Sequence, residues 1–155
     1  MLKYEKISLF DAPKNSLIVH AVNAGGRWGS GIAKEFKKRY PKAETYYMAR
    51  CAFGSTLARF GCHHVGEEHL VGWLGTSAGY GHTKSPEDEI LIYTTLAIQE
   101  MLISISKEDQ NLPRTVYSNK FNSGLFEVPW EKTEKILKTI LKLNPHIEWI
   151  VCDPT

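Results

Sequence analysis

The stretch SLIVHAV, residues 16–22, is apolar at almost every position, with Pro-Lys-Asn before it and the glycine-rich segment NAGGRWGSG (23–31) after it. A strand with one wet face alternates polar and apolar residues. A run this continuous belongs to a strand buried on both faces, the signature of a parallel sheet covered by helices on each side. The rest of the chain must then supply those helices and the neighbouring strands. From Gly31 the period changes: Ile32, Ala33, Phe36 and Tyr40 recur at helical spacing, as do Tyr47 and Met48 beyond an interruption at Pro41. SPEDEILIYTTLAIQEMLISIS reads as a long helix, with Ser85 as N-cap, Pro86 in the first turn and Asp88 as the capping-box acid. EKTEKILKTILKL reads as another, ended by Asn144-Pro145, and LKYEKISLF, EEHLVGWLGT, RTVYSN and IEWIVC read as strands. Strands alternating with helices give an α/β fold, a three-layer α/β/α sandwich around a mixed, mostly parallel sheet. Neither a linker nor an internal repeat interrupts 1–155, so a single domain is expected.

Composition narrows the function classes. A net charge of +2 is too small to argue for a nucleic-acid partner, and the densest basic run, KEFKKRYPK, reads as one solvated helix face. No apolar run approaches the roughly 18 residues that argue a membrane span. The start, MLKYEKISLF, lacks the apolar core of a secretory leader. Cys51, Cys62 and Cys152 are irregularly spaced, as in a reducing compartment where thiols need not pair. A soluble, cytoplasmic domain without a membrane partner is the expectation.

Three loops leave strands and enter helices: the first is NAGGRWGSG (23–31), the second KFNSGLFEVPW (120–130) and the third TSAGYGHTKS (76–85). Small residues let the backbone approach a ligand, and the following helix offers free N–H groups to an anion. In open α/β sheets ligands sit outside the carboxyl ends of the strands, so the three loops outline a cleft for a phosphate-bearing small molecule. The named nucleotide motifs do not fit. GRWGSGIA has Ile32-Ala33 where a P-loop needs Lys-Ser/Thr, and GSGIAK lacks the third glycine of a dinucleotide fingerprint. CHHVGEEHL gathers Cys62, His63, His64, Glu67, Glu68 and His69, but adjacent residues of an extended chain point to opposite faces and no structural-zinc spacing is present, so no metal is expected. Trp28, Phe126 and Trp130 read as packing residues as readily as ligand walls, and Tyr80 and His82 as turn residues as readily as ligand contacts.

HAVNAGGRWGSGIA together with NSGLFEVPW resembles the macrodomain family, whose members bind ADP-ribose. Within it, the chain is most similar to the fungal-type ADP-ribose-1″-phosphate phosphatase branch, with RYPKAE and GYGHTKSPEDEILIYTTLAI also alike in kind and position. The resemblance implies a cleft in which Gly29, Ser30, Gly31 and Ile32 cradle the diphosphate and distal ribose. It implies that Asn122, Ser123, Gly124, Leu125 and Phe126 close from the other side. Asn23 would meet the distal ribose, and His20 would be the acid/base. Ser8 and Leu9 would border adenine; Ser8 stands where many macrodomains have an aspartate, leaving Asp11 as the nearby carboxylate, and Cys152 stands near a position often held by an aromatic. Ser77 and Phe126 occupy the lysine and aspartate positions of the lysine-dependent ADP-ribosyl-protein hydrolases, which disfavours that chemistry, although Lys84 is a few residues away.

The function implied is hydrolysis of ADP-ribose-1″-phosphate to ADP-ribose and phosphate, without a cofactor. The alternative is a reader of ADP-ribose, or a hydrolase acting on ADP-ribosylated macromolecules. Hydrolysis of such a phosphomonoester needs an in-line water, charge stabilisation at the phosphoryl oxygens and a proton for the departing ribose oxygen. Loop N–H groups suit the second need, and an imidazole, with an ordinary pKa of about 6.5, suits the third.

Overall fold

The apolar run forms the strand Leu17–Asn23 (β2), whose residues are all buried except the half-buried Ala21. The structure, a computed structural model, describes residues 1–64 and 68–155. Strand β2 lies between two parallel neighbours, Leu70–Ser77 (β4) on one side and Thr115–Ser118 (β5) on the other. Beyond β5 come Glu148–Cys152 (β6) and then Leu2–Glu5 (β1), both parallel; beyond β4 lies Phe60–His63 (β3), the antiparallel edge. The sheet order is therefore β1-β6-β5-β2-β4-β3, mixed and mostly parallel.

Two helical layers cover it. Gly31–Arg39 (α1) and Pro41–Phe53 (α2) pack Phe36, Tyr40, Ala43 and Tyr47 against Ile18, Val22, Val71 and Trp73. Glu87–Ser106 (α3) and Trp130–Lys142 (α4) pack Ala97, Ile98, Met101, Leu137 and Leu141 against Leu17, Val19, Leu74 and Trp149 on the other face. Alternate residues of β2 thus feed opposite cores, which is why the strand shows no polar alternation. Each fully buried Leu, Ile, Val or Met contributes about 1.5–3 kcal/mol relative to exposure.

Local details depart from the sequence reading. The first strand ends at Glu5, and Leu9–Asp11 forms a 3-10 turn instead of continuing it. Strand β3 was not expected: FGCH is short and carries no alternating signal. Gly61 is required there, because a Cβ would lie 2.2 Å from the Trp73 ring. Ser85 does not cap α3, which starts at Glu87 after Pro86. Its Oγ accepts from the Ala78 N–H at 2.9 Å and its own N–H donates to Ser77 Oγ at 2.9 Å, so the serine clamps a loop. The N-terminal acids Glu87, Asp88 and Glu89 still complement the positive helix end. Helix α3 is also long and apolar enough, by length and composition alone, to cross a membrane, contrary to the sequence reading. Here its inner side, from Ile90 to Ile105, is part of the core.

Gly75 marks the tightest approach in the sheet: a Cβ on it would lie 1.8 Å from the carbonyl oxygen of Thr56. Gly75→Ala is expected to destabilise the fold by about 1–3 kcal/mol, as in other overpacked interiors. Urea unfolding should show the midpoint falling at unchanged m value.

Candidate ligand-binding cleft

The chain leaves β2 along one face, through α1 and α2, and reaches β5 from β4 along the other, through α3. Connections that diverge in this way open a crevice at the carboxyl end of the central strand. A cleft of about 960 Å³ lies there, walled by all three glycine-containing loops. That volume suits a small-molecule ligand.

The first loop is shaped by Asn23. Its Oδ1 accepts from the Gly25 N–H at 2.9 Å and its Nδ2 donates to the Arg27 carbonyl at 3.2 Å. One amide N–H and one lone pair of that side chain remain for a ligand. Ser30 precedes α1 with no side-chain cap, and the first helical bond inside the turn runs from the Lys34 N–H to the Ser30 carbonyl. The N–H groups of Gly31, Ile32 and Ala33 therefore have no helical acceptor and stand at the positive end of the helix, an anion site. Gly31 has φ +59°, and a Cβ there would lie 3.2 Å from Leu125 Cδ1. The first and second loops meet at this point above the cleft.

Asn122 anchors the second loop from within. It is buried, with φ 67°, and Thr76 Oγ1 donates to its Oδ1 at 2.7 Å. Its Nδ2 donates to Thr94 Oγ1 at 2.9 Å and Thr133 Oγ1 at 3.4 Å. One side chain thus joins β4, α3 and α4, while its carbonyl accepts from the Val128 N–H at 2.9 Å to close the loop. Ser123 Oγ turns back onto the Lys120 carbonyl. The third loop is held shut by the Ser77–Ser85 clamp and by Ser77 Oγ donating to the Gly79 carbonyl at 2.7 Å. Its Lys84 Nζ lies 3.1 Å from Glu127 Oε2 of the second loop.

Of the residues singled out from sequence, Asn23, Gly29, Ser30, Gly31, Ile32, Asn122, Gly124, Leu125 and Phe126 line the cleft, as do Trp28, Tyr80 and His82. Four others do not. Ser8 caps the 3-10 turn, accepting from the Phe10 N–H at 3.3 Å, and Leu9 is buried in the core under α1. Ser123 is spent on Lys120. His20, expected at the ligand, is turned away from it. Its side chain shares the Ile18 and Val22 face of β2, so the ring stacks on Phe36 at 3.9 Å and meets Trp28 edge-on at 4.6 Å. It is 0% exposed, and burial lowers its pKa to about 3. Neither ring nitrogen hydrogen-bonds another protein group, and neither does the neighbouring Trp28 Nε1.

Arg27, Lys84, Asn119 and Glu127 also line the cleft and were not in the ligand set read from sequence. Their signal was available, since all four lie within or just before the glycine loops, but nothing local shows which loop tips meet. Elsewhere, Cys152 is a buried core thiol at the end of β6, raised to about 11 first by burial, and Trp130 is core, its Nε1 donating to Tyr4 Oη at 2.8 Å. His69 joins Tyr40 Oη (2.5 Å) to the Ala12 carbonyl (2.8 Å), and His63 accepts from Trp73 Nε1 at 3.0 Å. Glu67 lies outside the described residues, among which no group of three potential ligands is placed for a metal.

No protein-family model matches the sequence. The chain is 36% identical over 158 residues to the ADP-ribose 1″-phosphate phosphatase of Lodderomyces elongisporus, covering 94% of this chain and 96% of that protein. It is 34% identical over 159 residues to the ADP-ribose 1″-phosphate phosphatase of Candida albicans, covering 95% and 98%. Among solved structures, the macrodomain of Mycobacterium tuberculosis DarG superposes with a TM-score of 0.83 at 23% identity over 100% of this chain and 99% of that one. Thermosipho africanus DarTG in complex with ADP-ribose superposes at 0.77 and 12% identity, over 97% of this chain and 41% of that one. At these identities the structural likeness establishes a macrodomain fold.

An imidazole buried without partners has consequences for stability. Replacing it by an apolar side chain removes an unsatisfied group that costs about 1–3 kcal/mol, so His20→Leu should be more stable than the parent at pH 7. The pH dependence has a definite sign. The unfolded chain protonates His20 near pH 6.5 and the folded chain only near pH 3, so the parent loses stability as pH falls below 6.5, by up to about 1.4 kcal/mol per pH unit from this residue. Urea midpoints measured between pH 7 and 5 should fall less steeply for His20→Leu.

Proposed function

The chain belongs to the family of ADP-ribose 1″-phosphate phosphatases, and from that membership we propose that it binds ADP-ribose 1″-phosphate in the cleft and hydrolyses it to ADP-ribose and inorganic phosphate. The observation that carries this reading is the meeting of Gly31 and Leu125 above the uncapped start of α1. The diphosphate would lie against the N–H groups of Gly31, Ile32 and Ala33, under Leu125 and Phe126. The distal ribose would sit toward Asn23, whose remaining N–H and lone pair suit its hydroxyls. Asp11, exposed at the end of the 3-10 turn, would be the carboxylate available to the adenine amino group.

Water attacks phosphorus in line with the bond to the 1″ oxygen, that bond breaks, and the ribose oxygen takes a proton. Preorganised N–H groups of the loops would hold the equatorial oxygens without reorganising. His20 remains our candidate for proton transfer; buried and neutral it has no acidic proton to give, so the role requires the Gly25–Ser30 segment to shift and let the ring reach water and the ligand. Three adjacent unpartnered polar atoms, two on His20 and one on Trp28, support this assignment. Such atoms burden the fold, and sites that trade stability for activity are where they concentrate.

Two measurements check the reading. Wild-type protein should release phosphate from ADP-ribose 1″-phosphate, and His20→Leu should retain ADP-ribose binding while losing about 10²-fold or more in kcat. Undiminished release by His20→Leu removes the histidine from the chemistry. No release by wild type, with ADP-ribose still bound, points to a reader or to a hydrolase acting on ADP-ribosylated macromolecules. Gly31→Val should abolish ADP-ribose binding by calorimetry, because the side chain meets Leu125 and a non-glycine residue in the left-handed region costs about 1–2 kcal/mol.

A further inference from the structure

Four side chains lining the cleft are charged or carry an imidazole: Arg27, His82, Lys84 and Glu127. Three suit a polyanion and one does not. A carboxylate in the wall of a diphosphate site repels the ligand unless something neutralises it, and Lys84 does so at 3.1 Å. Among the described residues this is the ion pair whose two partners both line the cleft. Both are held firmly. Lys84 follows the 3-10 turn Gly81–Thr83, its N–H donating to the Gly81 carbonyl at 3.2 Å, and the Ser77–Ser85 clamp fixes the next residue. Glu127 has φ 60° and its N–H donates to the Gly124 carbonyl at 3.0 Å, in the loop that Asn122 anchors.

The two partners differ in exposure: the Lys84 side chain is 28% exposed and that of Glu127 73%. The cation is part of the wall, and the carboxylate reaches it from the solvent side. The third loop also stands at the ribose end of the cleft, since a Cβ on Gly25 would lie 4.0 Å from Tyr80 Cε1 and 2.9 Å from Asn23 Oδ1.

We propose that Lys84 determines specificity for the terminal phosphate, and that Glu127 is its built-in competitor. The phosphomonoester, carrying about −1.5 to −2 charges, takes the place of the carboxylate on Lys84 Nζ. After hydrolysis, ADP-ribose has no group to hold Lys84 there, and Glu127 reclaims it, which favours release of the product. This inference rests on the ligand placement proposed above.

The test compares binding of ADP-ribose and of ADP-ribose 1″-phosphate, and turnover of the latter, in wild type, Lys84→Met, Lys84→Arg and Glu127→Gln, with thermal melting as a folding control. Lys84→Met should lower kcat/KM and affinity for the phosphorylated ligand at least tenfold, with the ADP-ribose Kd changed less than twofold, and Lys84→Arg should recover part of the loss. Glu127→Gln should bind the phosphorylated ligand severalfold more tightly and ADP-ribose unchanged. Equal effects of Lys84→Met on both ligands, or no effect on either, in a protein whose wild type releases phosphate, overturn this inference and leave the phosphatase reading intact. A wild type that releases no phosphate and binds the two ligands equally overturns both.

Discussion

Strand β2 has neighbours on both edges and a packed core on both faces, and the cleft opens at its carboxyl end. Such burial leaves the main chain no water to bond to, so its polar groups must be met by β4 and β5 in parallel register. Parallel pairing in turn demands long crossovers, and the two that connect β2 to β4 and β4 to β5 run along opposite faces of the sheet. The cleft is the gap between them. It follows from the packing of one strand, before any particular side chain is chosen to contact a ligand.

What keeps the cleft in shape is a second constraint, the buried amide of Asn122. A polar group taken out of water must have its hydrogen bonds made, and this one makes them to threonines on three separate elements. Its left-handed backbone begins the turn that carries Leu125 to Gly31 and Glu127 to Lys84. Asn122 therefore shapes the cleft through the loop it anchors, with both amide N–H groups and the side-chain oxygen hydrogen-bonded to threonines. Asn23 plays the same part in the first loop while keeping some bonding capacity free.

His20 and Trp28 run against this pattern of satisfied polar groups. They stack with Phe36 and Tyr47 as core aromatics would, yet three ring N atoms go without partners directly beneath the first glycine loop. A structural histidine in this protein looks different: His69 uses both nitrogens, one with Tyr40 and one with Ala12. His20 on β2 and His69 just before β4 are both buried, yet their rings are held in different ways.

The order of elements was legible in the sequence because period and punctuation are local properties. An unbroken apolar run specified a doubly buried strand, a 3.6-residue recurrence of apolar positions specified the covering helices, and the glycines marked the loops that wall the cleft. Short, aperiodic FGCH carried no such mark, and Ser85 carried a misleading one, since a serine before Pro-Glu-Asp suits a helix cap and a loop clamp equally well. Sequence by itself determined the architecture, the parallel sheet and the cleft's position at its carboxyl edge. Tertiary structure alone decided that His20 faces α1 beneath the cleft, that Asn122 is consumed by three threonines, and that Lys84 meets Glu127 across two loops. Those outcomes depend on the register of strands distant in the chain and on which loop tips they bring together, and no local pattern of residues encodes either.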